Sequence, residues 1–222
     1  EGHIIADENI PEAQKIKKIS IKKNINLSLI HNESNGIQLV SHRFEKEKQI
    51  LEIKFKKAKY KIYLNLIGKI QVKNILMAII AANNSGIEFK KILKILPRIT
   101  SVEGRLEKIG KIHNNSKVIL DYAHTPAALE SALSNLKEQF PFNKINLIFG
   151  CGGDRDFKKR SLMGKIAEKY SKEIYLTDDN PRNEKPFEIR NEIKKGIKNK
   201  SIHEIPDRKK AIQEAVKNLK TG

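Results

Sequence analysis

From Val118 onward, short apolar runs alternate with segments whose hydrophobic residues recur every three or four positions. The runs Lys117–Asp121, Ile145–Phe149, Ile174–Thr177 and Ile202–Ile205 predict strands, each followed by an amphipathic helix. That alternation predicts an α/β fold, a mostly parallel sheet with helices on both faces. The first of these helices has a readable start. Thr125 suits the N-cap, Pro126 suits the first helical position, and Leu129, Ala132, Leu133 and Leu136 fall along one face.

The preceding half is less regular. Ile37–Val40, Ile50–Phe55 and Tyr60–Leu66 alternate apolar with polar residues and predict strands paired antiparallel. After Gly68, Val72–Asn83 reads as a mostly buried helix that stops at Ser85-Gly86, and Glu88–Leu96 as a short helix ended by Pro97. The periodicity lapses from Arg98 to Gly104. This places a domain boundary there and divides the chain into residues 1–99 and 100–222.

Composition narrows the function classes. At 39% hydrophobic and 32% charged residues the chain is of the globular kind. No run reaches the roughly 18 apolar residues of a membrane span, so no membrane partner is expected. Near Glu1 there is no basic segment followed by an apolar one, so no export signal is expected. The single cysteine, Cys151, cannot close an internal disulfide, and no Cys/His cluster offers a zinc site. A reducing cytoplasm is the expected location. The net charge of +18 raises the question of nucleic acid. Only eight of the 44 basic residues are arginine, the lysines are scattered among Asn and Ile, and aromatic residues are 6%. That is a global compositional bias rather than a binding stripe, and no nucleic-acid partner is expected.

Candidate chemistry sits on the strand-to-helix turns, because ligands of open α/β sheets collect beyond the carboxyl ends of the strands. Three turns are unusually polar: Asp121–Pro126, Gly150–Asp156 and Thr177–Arg182. They are expected to share one rim. The glycines at 150, 152 and 153 permit close backbone approach. Arg155, Arg160 and Arg182 supply planar forks for carboxylates or phosphates, so an acidic or zwitterionic ligand is implied. Each turn alone also has a structural reading, as a helix cap or an ordinary Asn-Pro turn. His124 suits two roles, a base or a hydrogen-bond donor to its own loop or to a ligand oxygen. No GxxxxGK[ST] loop occurs, so the chain has no triphosphate cradle of that type, and no metal ligands are assigned.

At these residues the sequence resembles the Mur ligase family. Gly104-Arg105-Leu106-Glu107, Asp121-Tyr122-Ala123-His124-Thr125-Pro126, Gly150-Cys151-Gly152-Gly153-Asp154-Arg155-Asp156 through Lys159-Arg160, and Asp179-Asn180-Pro181-Arg182 match it in order and spacing. Gly68–Asn74 looks like a degraded form of the family's Gly-x-Phe-Asn-x-x-Asn stretch, with Ile70-Gln71 in place of Phe-Asn. Glu103 stands where Pro is commoner.

The resemblance implies a C-terminal Rossmann-like domain preceded by the tail of a central ATPase domain. It also implies a cytoplasmic, monomeric, ATP- and Mg2+-dependent amide ligase of peptidoglycan synthesis. Its small-molecule partners would be a UDP-N-acetylmuramoyl dipeptide and meso-diaminopimelate, joined through an acyl phosphate. By the same resemblance Arg105, Asp121 and Asn74 would contact ATP, and His124 would lie at the nucleotide or the reacting carboxylate as the catalytic candidate. Arg155, Asp179, Asn180 and Arg182 would hold diaminopimelate, whose second carboxylate suits the guanidinium of Arg182 better than lysine does.

The family's phosphate loop, modified-lysine region and UDP-binding domain are expected upstream of Glu1, and its closing Gly-Lys-Gly-His-Glu stretch beyond Gly222. The piece alone is therefore expected to be inactive. Two other readings remain: an amide ligase of the folylpolyglutamate type, whose corresponding turn would carry Asp-Gly-Ala-His, and a noncatalytic remnant that binds ligand or RNA.

Overall fold

The computed structural model describes residues 2–31, 36–112 and 115–219, and it divides into two compact units between Val102 and Glu103. In the first unit the order is β1 (His3–Asp7), α1 (Ala13–Lys22), β2 (Asn26–Ile30), β3 (Gly36–Glu45), β4 (Lys48–Phe55), β5 (Ala58–Leu64), α2 (Ile70–Asn84) and α3 (Phe89–Ile95). The five strands form one sheet in sequence order. β3, β4 and β5 pair antiparallel as their alternation predicts, whereas β1, β2 and β3 run parallel.

β1, α1 and β2 are not legible in the sequence, and the reason is local. α1 scatters Ile16, Ile19 and Ile21 among lysines and leaves Ile21 exposed, so neither period stands out. The β4–β5 hairpin turns on Lys56 and Lys57, both with positive φ, in place of the Asn-Gly that would announce such a turn. Its stability comes from the core. Ile30, Ile37, Leu51, Ile53, Leu64, Leu76 and Ile79 are all essentially inaccessible, and each full burial contributes about 1.5–3 kcal/mol. Gln49, buried among them, donates from Nε2 to the carbonyls of Leu66 at 2.8 Å and Gly68 at 3.1 Å. The amide thereby anchors the segment that leads into α2 and keeps its own polar group satisfied.

The second unit contains β6 (Glu107–Lys111), β7 (Lys117–Leu120), α4 (Pro126–Gln139), β8 (Asn146–Phe149), α5 (Lys158–Tyr170), β9 (Glu173–Leu176), α6 (Pro186–Lys194), β10 (Ile202–Glu204) and α7 (Arg208–Lys217). β8, β9 and β10 form a parallel sheet in the order β10-β9-β8. Alternation along β9 explains why both faces are covered. Ile174 and Leu176 pack into one cluster with Leu129 and Leu133 of α4, Met163 and Ala167 of α5, and Ile189 and Ile193 of α6. Tyr175 is equally buried, and its hydroxyl accepts from Asn218 Nδ2, just past α7.

One expectation is corrected here. The pattern places β7 as the first strand of the parallel sheet, but it pairs antiparallel with β6, a strand the pattern does not announce. A half-buried strand has the same period whatever its partner, and β7 is intermediate to exposed along its length rather than buried. Among the described residues no helix is long and apolar enough to cross a membrane.

Candidate functional site

The loops after β8 and β9 fit together as a pair. Gly150 lies so close to the carbonyl group of Thr177 that a Cβ would fall 3.2 Å from its carbon, and a Cβ on Gly153 would fall 2.7 Å from the carbonyl carbon of Pro181. Only glycine allows the two backbones to lie this close. Hydrogen bonds run in both directions across the gap. Gly153 N donates to Asn180 O at 2.9 Å, Arg182 Nη1 donates to Gly153 O at 2.6 Å, and Asn183 Nδ2 donates to Asp154 Oδ2 at 2.8 Å. Asp154 and Arg182 both hold positive φ, so each loop turns sharply where it meets the other.

Beneath them lies Arg160. The sequence suggests a rim-facing fork, and the structure corrects this: Arg160, on α5, is 1% exposed and its guanidinium is turned inward. Nη1 donates to Glu184 Oε2 at 2.8 Å and to Glu192 Oε2 at 2.9 Å, and Nη2 donates to Glu184 Oε1 at 2.8 Å and to Gly152 O at 3.3 Å. The bidentate bond from Arg160, together with the N–H of Asp154, holds the Glu184 carboxyl down to about 2. Neither Glu184 nor Glu192 stands out in the sequence, because acidic residues in a turn and on an amphipathic helix read as solvated surface. Cys151 sits in the same core, 4% exposed, with its Sγ donating to Met163 Sδ at 3.6 Å. Burial pushes its thiol up to about 11, which makes it a packing residue rather than a nucleophile.

The diaminopimelate candidates lie on these loops. Arg155 is exposed and makes no hydrogen bond or ion pair among the described residues. Asp179 Oδ1 lies 3.8 Å from Arg208 Nη2, with both side chains about half exposed. Asn180 Oδ1 accepts from Arg182 N at 3.2 Å. Arg182 uses one N–H on Gly153 and retains its other donors.

The Asp121–Pro126 turn is tied to the pair through Lys159 on α5, whose Nζ donates to His124 O at 2.9 Å. Asp121 acts first as a clasp, with Oδ2 accepting from Leu106 N and Oδ1 from Ala123 N, both at 2.9 Å. Gly104 and Leu106 both have positive φ, and Gly104 N donates to Glu107 Oε2 at 2.8 Å. The Gly-Arg-Leu-Glu segment is thus folded onto the Asp121 turn. Arg105 lies over the Tyr122 ring at 5.4 Å, and Tyr122 meets His124 edge-on at 5.2 Å. His124 is exposed, with Nδ1 at 3.1 Å from Tyr122 O. Thr125 caps α4 by accepting from Ala128 N at 3.2 Å. Asn74 belongs to the first unit, exposed on α2, with Nδ2 donating to Gln71 Oε1 at 3.2 Å. Among the described residues no group of three or more His, Cys, Asp or Glu could hold a metal ion.

A parallel sheet whose interlocked polar loops lie beyond its carboxyl ends has the plan of an α/β ligand-binding domain. Comparison with known proteins makes this specific. The family model for the Mur ligase glutamate ligase domain matches residues 104–222, and the chain belongs to the Mur ligase family.

Among its relatives, the UDP-N-acetylmuramoyl-L-alanyl-D-glutamate--2,6-diaminopimelate ligase of Rickettsia felis is 36% identical over 99% of this chain and 41% of its own length. The Rickettsia typhi ligase of the same name is 36% identical over 99% of the chain and 44% of its own length. The chain thus spans less than half the length of these curated relatives. A solved structure of a ligase with that name covers 100% of this chain and 46% of its own, with a TM-score of 0.69 at 27% identity. The Mycobacterium tuberculosis folylpolyglutamate synthase complexed with ADP covers 97% of this chain and 47% of its own, with a TM-score of 0.77 at 18% identity, and shares the fold.

Proposed function

We propose that this chain is the amino-acid-binding part of an ATP-dependent amide ligase of peptidoglycan synthesis, which adds meso-diaminopimelate to UDP-N-acetylmuramoyl-L-alanyl-D-glutamate. The observation that carries the reading is the interlocked loop pair, which gathers Arg155, Asp179, Asn180 and Arg182 on one edge of a domain whose 36%-identical relatives bear that name. Diaminopimelate is a double zwitterion. Its carboxylates call for guanidinium forks and its ammonium groups for carboxylate and amide oxygens, and the loops offer both. Arg182 is the residue that reads the distal carboxylate.

In the reaction, a substrate carboxylate attacks the γ-phosphate of ATP, ADP leaves, and the acyl phosphate is attacked by the amine with release of phosphate. Arg105 and Asp121 hold the base and ribose. His124 stands at the reacting end of the nucleotide as a hydrogen-bonding group. The fit to nucleotide is supported by the Arg105–Tyr122 platform and by Asp121 oxygens whose geometry is fixed by two backbone donors. Mg2+ would neutralise the phosphates, and its ligands are assigned to none of the residues described. The protein acts as a cytoplasmic monomer.

The test is phosphate release from ATP by the protein expressed from its native coding region, with the UDP-linked dipeptide and either diaminopimelate or lysine. Release that depends on diaminopimelate and falls away with lysine is expected. Equal rates with the two amino acids, or release without either, overturn the reading. Arg182→Ala should lower the preference for diaminopimelate about tenfold to a hundredfold, the value of one charge-assisted bidentate contact; an unchanged preference removes Arg182 from the role.

A further inference from the structure

Arg160 is the most deeply buried charge among the described residues of the second unit, and none of the roles proposed above uses it. Its surroundings are not those of a simple internal ion pair. One guanidinium reaches three separate segments: Gly152 O on the loop after β8, Glu184 just beyond the Asp179–Arg182 turn, and Glu192 on α6. Glu184 extends the link, because the Oε1 that accepts from Arg160 also accepts from Asp154 N at 2.5 Å. Between these anchors lie the Gly153–Asn180 and Arg182–Gly153 hydrogen bonds.

Taking charges out of water is costly, and a well-packed apolar side chain would often serve stability as well. What an apolar side chain cannot do is fix the spacing of two loops and a helix at once. A planar fork with several directed donors can.

We propose that Arg160, acting through Glu184, is the positioning residue of the amino-acid site, setting the aim of Arg182 and Asn180 without touching the ligand. The proposal rests on the diaminopimelate reading of that site. Lysine at this position keeps the charge but has one nitrogen, so it cannot hold Glu184 in a bidentate bond and also reach Gly152 O and Glu192. Arg160→Lys therefore keeps a positive charge against the carboxylates and loosens the register of the two loops. Glu184→Gln tests the same link from its other end, keeping the shape and removing the charge from a partly exposed carboxylate. The nucleotide residues Arg105 and Asp121 lie on other segments and are unaffected.

The experiment compares parent, Arg160→Lys and Glu184→Gln in the protein expressed from its native coding region. Steady-state kinetics are measured against each substrate, and hydrogen exchange is read at the amides of Gly153 and Asp154. The expected result is a KM for diaminopimelate raised about tenfold to a hundredfold, the scale of a misplaced binding group. Preference over lysine is reduced, KM for ATP is unchanged, and exchange at both amides is at least about tenfold faster, as a weakened loop pairing opens more often.

A variant with lowered thermal stability but unchanged KM for diaminopimelate and unchanged exchange at the two amides overturns the proposal and makes Arg160 a stability residue only. If Arg160→Lys does not fold, Glu184→Gln carries the same two readouts, and they decide the question in the same way. If the parent does not use diaminopimelate at all, the functional reading has failed, and the exchange comparison still decides whether Arg160 sets the loops.

Discussion

Gly153→Ala makes the loop pairing measurable. A Cβ there would fall 2.7 Å from the carbonyl carbon of Pro181 and 3.3 Å from Glu184 Cβ. An unstrained carbon–carbon contact is about 3.5 Å, and the Pro181 carbonyl oxygen lies nearer still, so the two backbones must part by at least about 0.8 Å. Gly153 N and Asn180 O, now 2.9 Å apart, then pass beyond hydrogen-bond range, and the Arg182–Gly153 bond of 2.6 Å is stretched with them. Losing one neutral and one charge-assisted hydrogen bond costs about 2–4 kcal/mol. With a urea dependence of about 2 kcal/mol per molar, the unfolding midpoint of the second unit falls by about 1–2 M.

Cys151 is the reporter, since it is the one cysteine in the 222-residue chain and its thiol is buried in that unit. Its labelling rate against urea follows the unit that carries the substitution. Gly110→Ala is the control, because a Cβ at Gly110 meets nothing within 4 Å and its φ lies outside the positive region that favours glycine. Its midpoint should stay or rise slightly, by about 0.5–1 kcal/mol in stability. If Gly153→Ala unfolds at the same urea concentration as Gly110→Ala, the close approach of the loops is not a constraint and the site geometry derived from it is wrong.

Three further outcomes follow from single contacts. Thr125→Ala removes the acceptor for Ala128 N at the start of α4 and should destabilise the second unit by about 1 kcal/mol, while Thr125→Ser should restore most of it; denaturant titration distinguishes the two. The folded pKa of Glu184, about 2, lies below the usual 4.5, so its ion pair stabilises the fold fully above pH 4.5. That stability is lost as pH falls toward 2, and Glu184→Gln should flatten the acid-unfolding curve over this window. With its thiol pushed up to about 11, native Cys151 should resist alkylation at mildly alkaline pH and react at the rate of a free thiol in denaturant; prompt labelling of the folded chain contradicts its burial.

The turns are legible as turns. Asp179-Asn180-Pro181-Arg182 and the glycine loop at 150–153 announce themselves locally, because turns need particular residues at particular positions. The antiparallel run from β3 to β5 and the helix–strand alternation after β8 are readable for a similar reason, since a core-facing side announces its period. Pairing partners carry no such mark. β7 reads the same whether it borders β6 or β8, and nothing in its residues prefers the hairpin.

Arg160 shows the same division within a single residue. By itself it is a fork suited to a ligand carboxylate, and its neighbours Lys158 and Lys159 suggest surface. Only the fold turns it inward, because Glu184 and Glu192, distant in sequence, converge on it when α6 packs against α5. Residue type and local spacing determined which groups this protein has available for binding. The tertiary structure decided which of them stay exposed on the loops and which are turned inward, because a charge can be buried only where long-range packing brings its counter-charges to it.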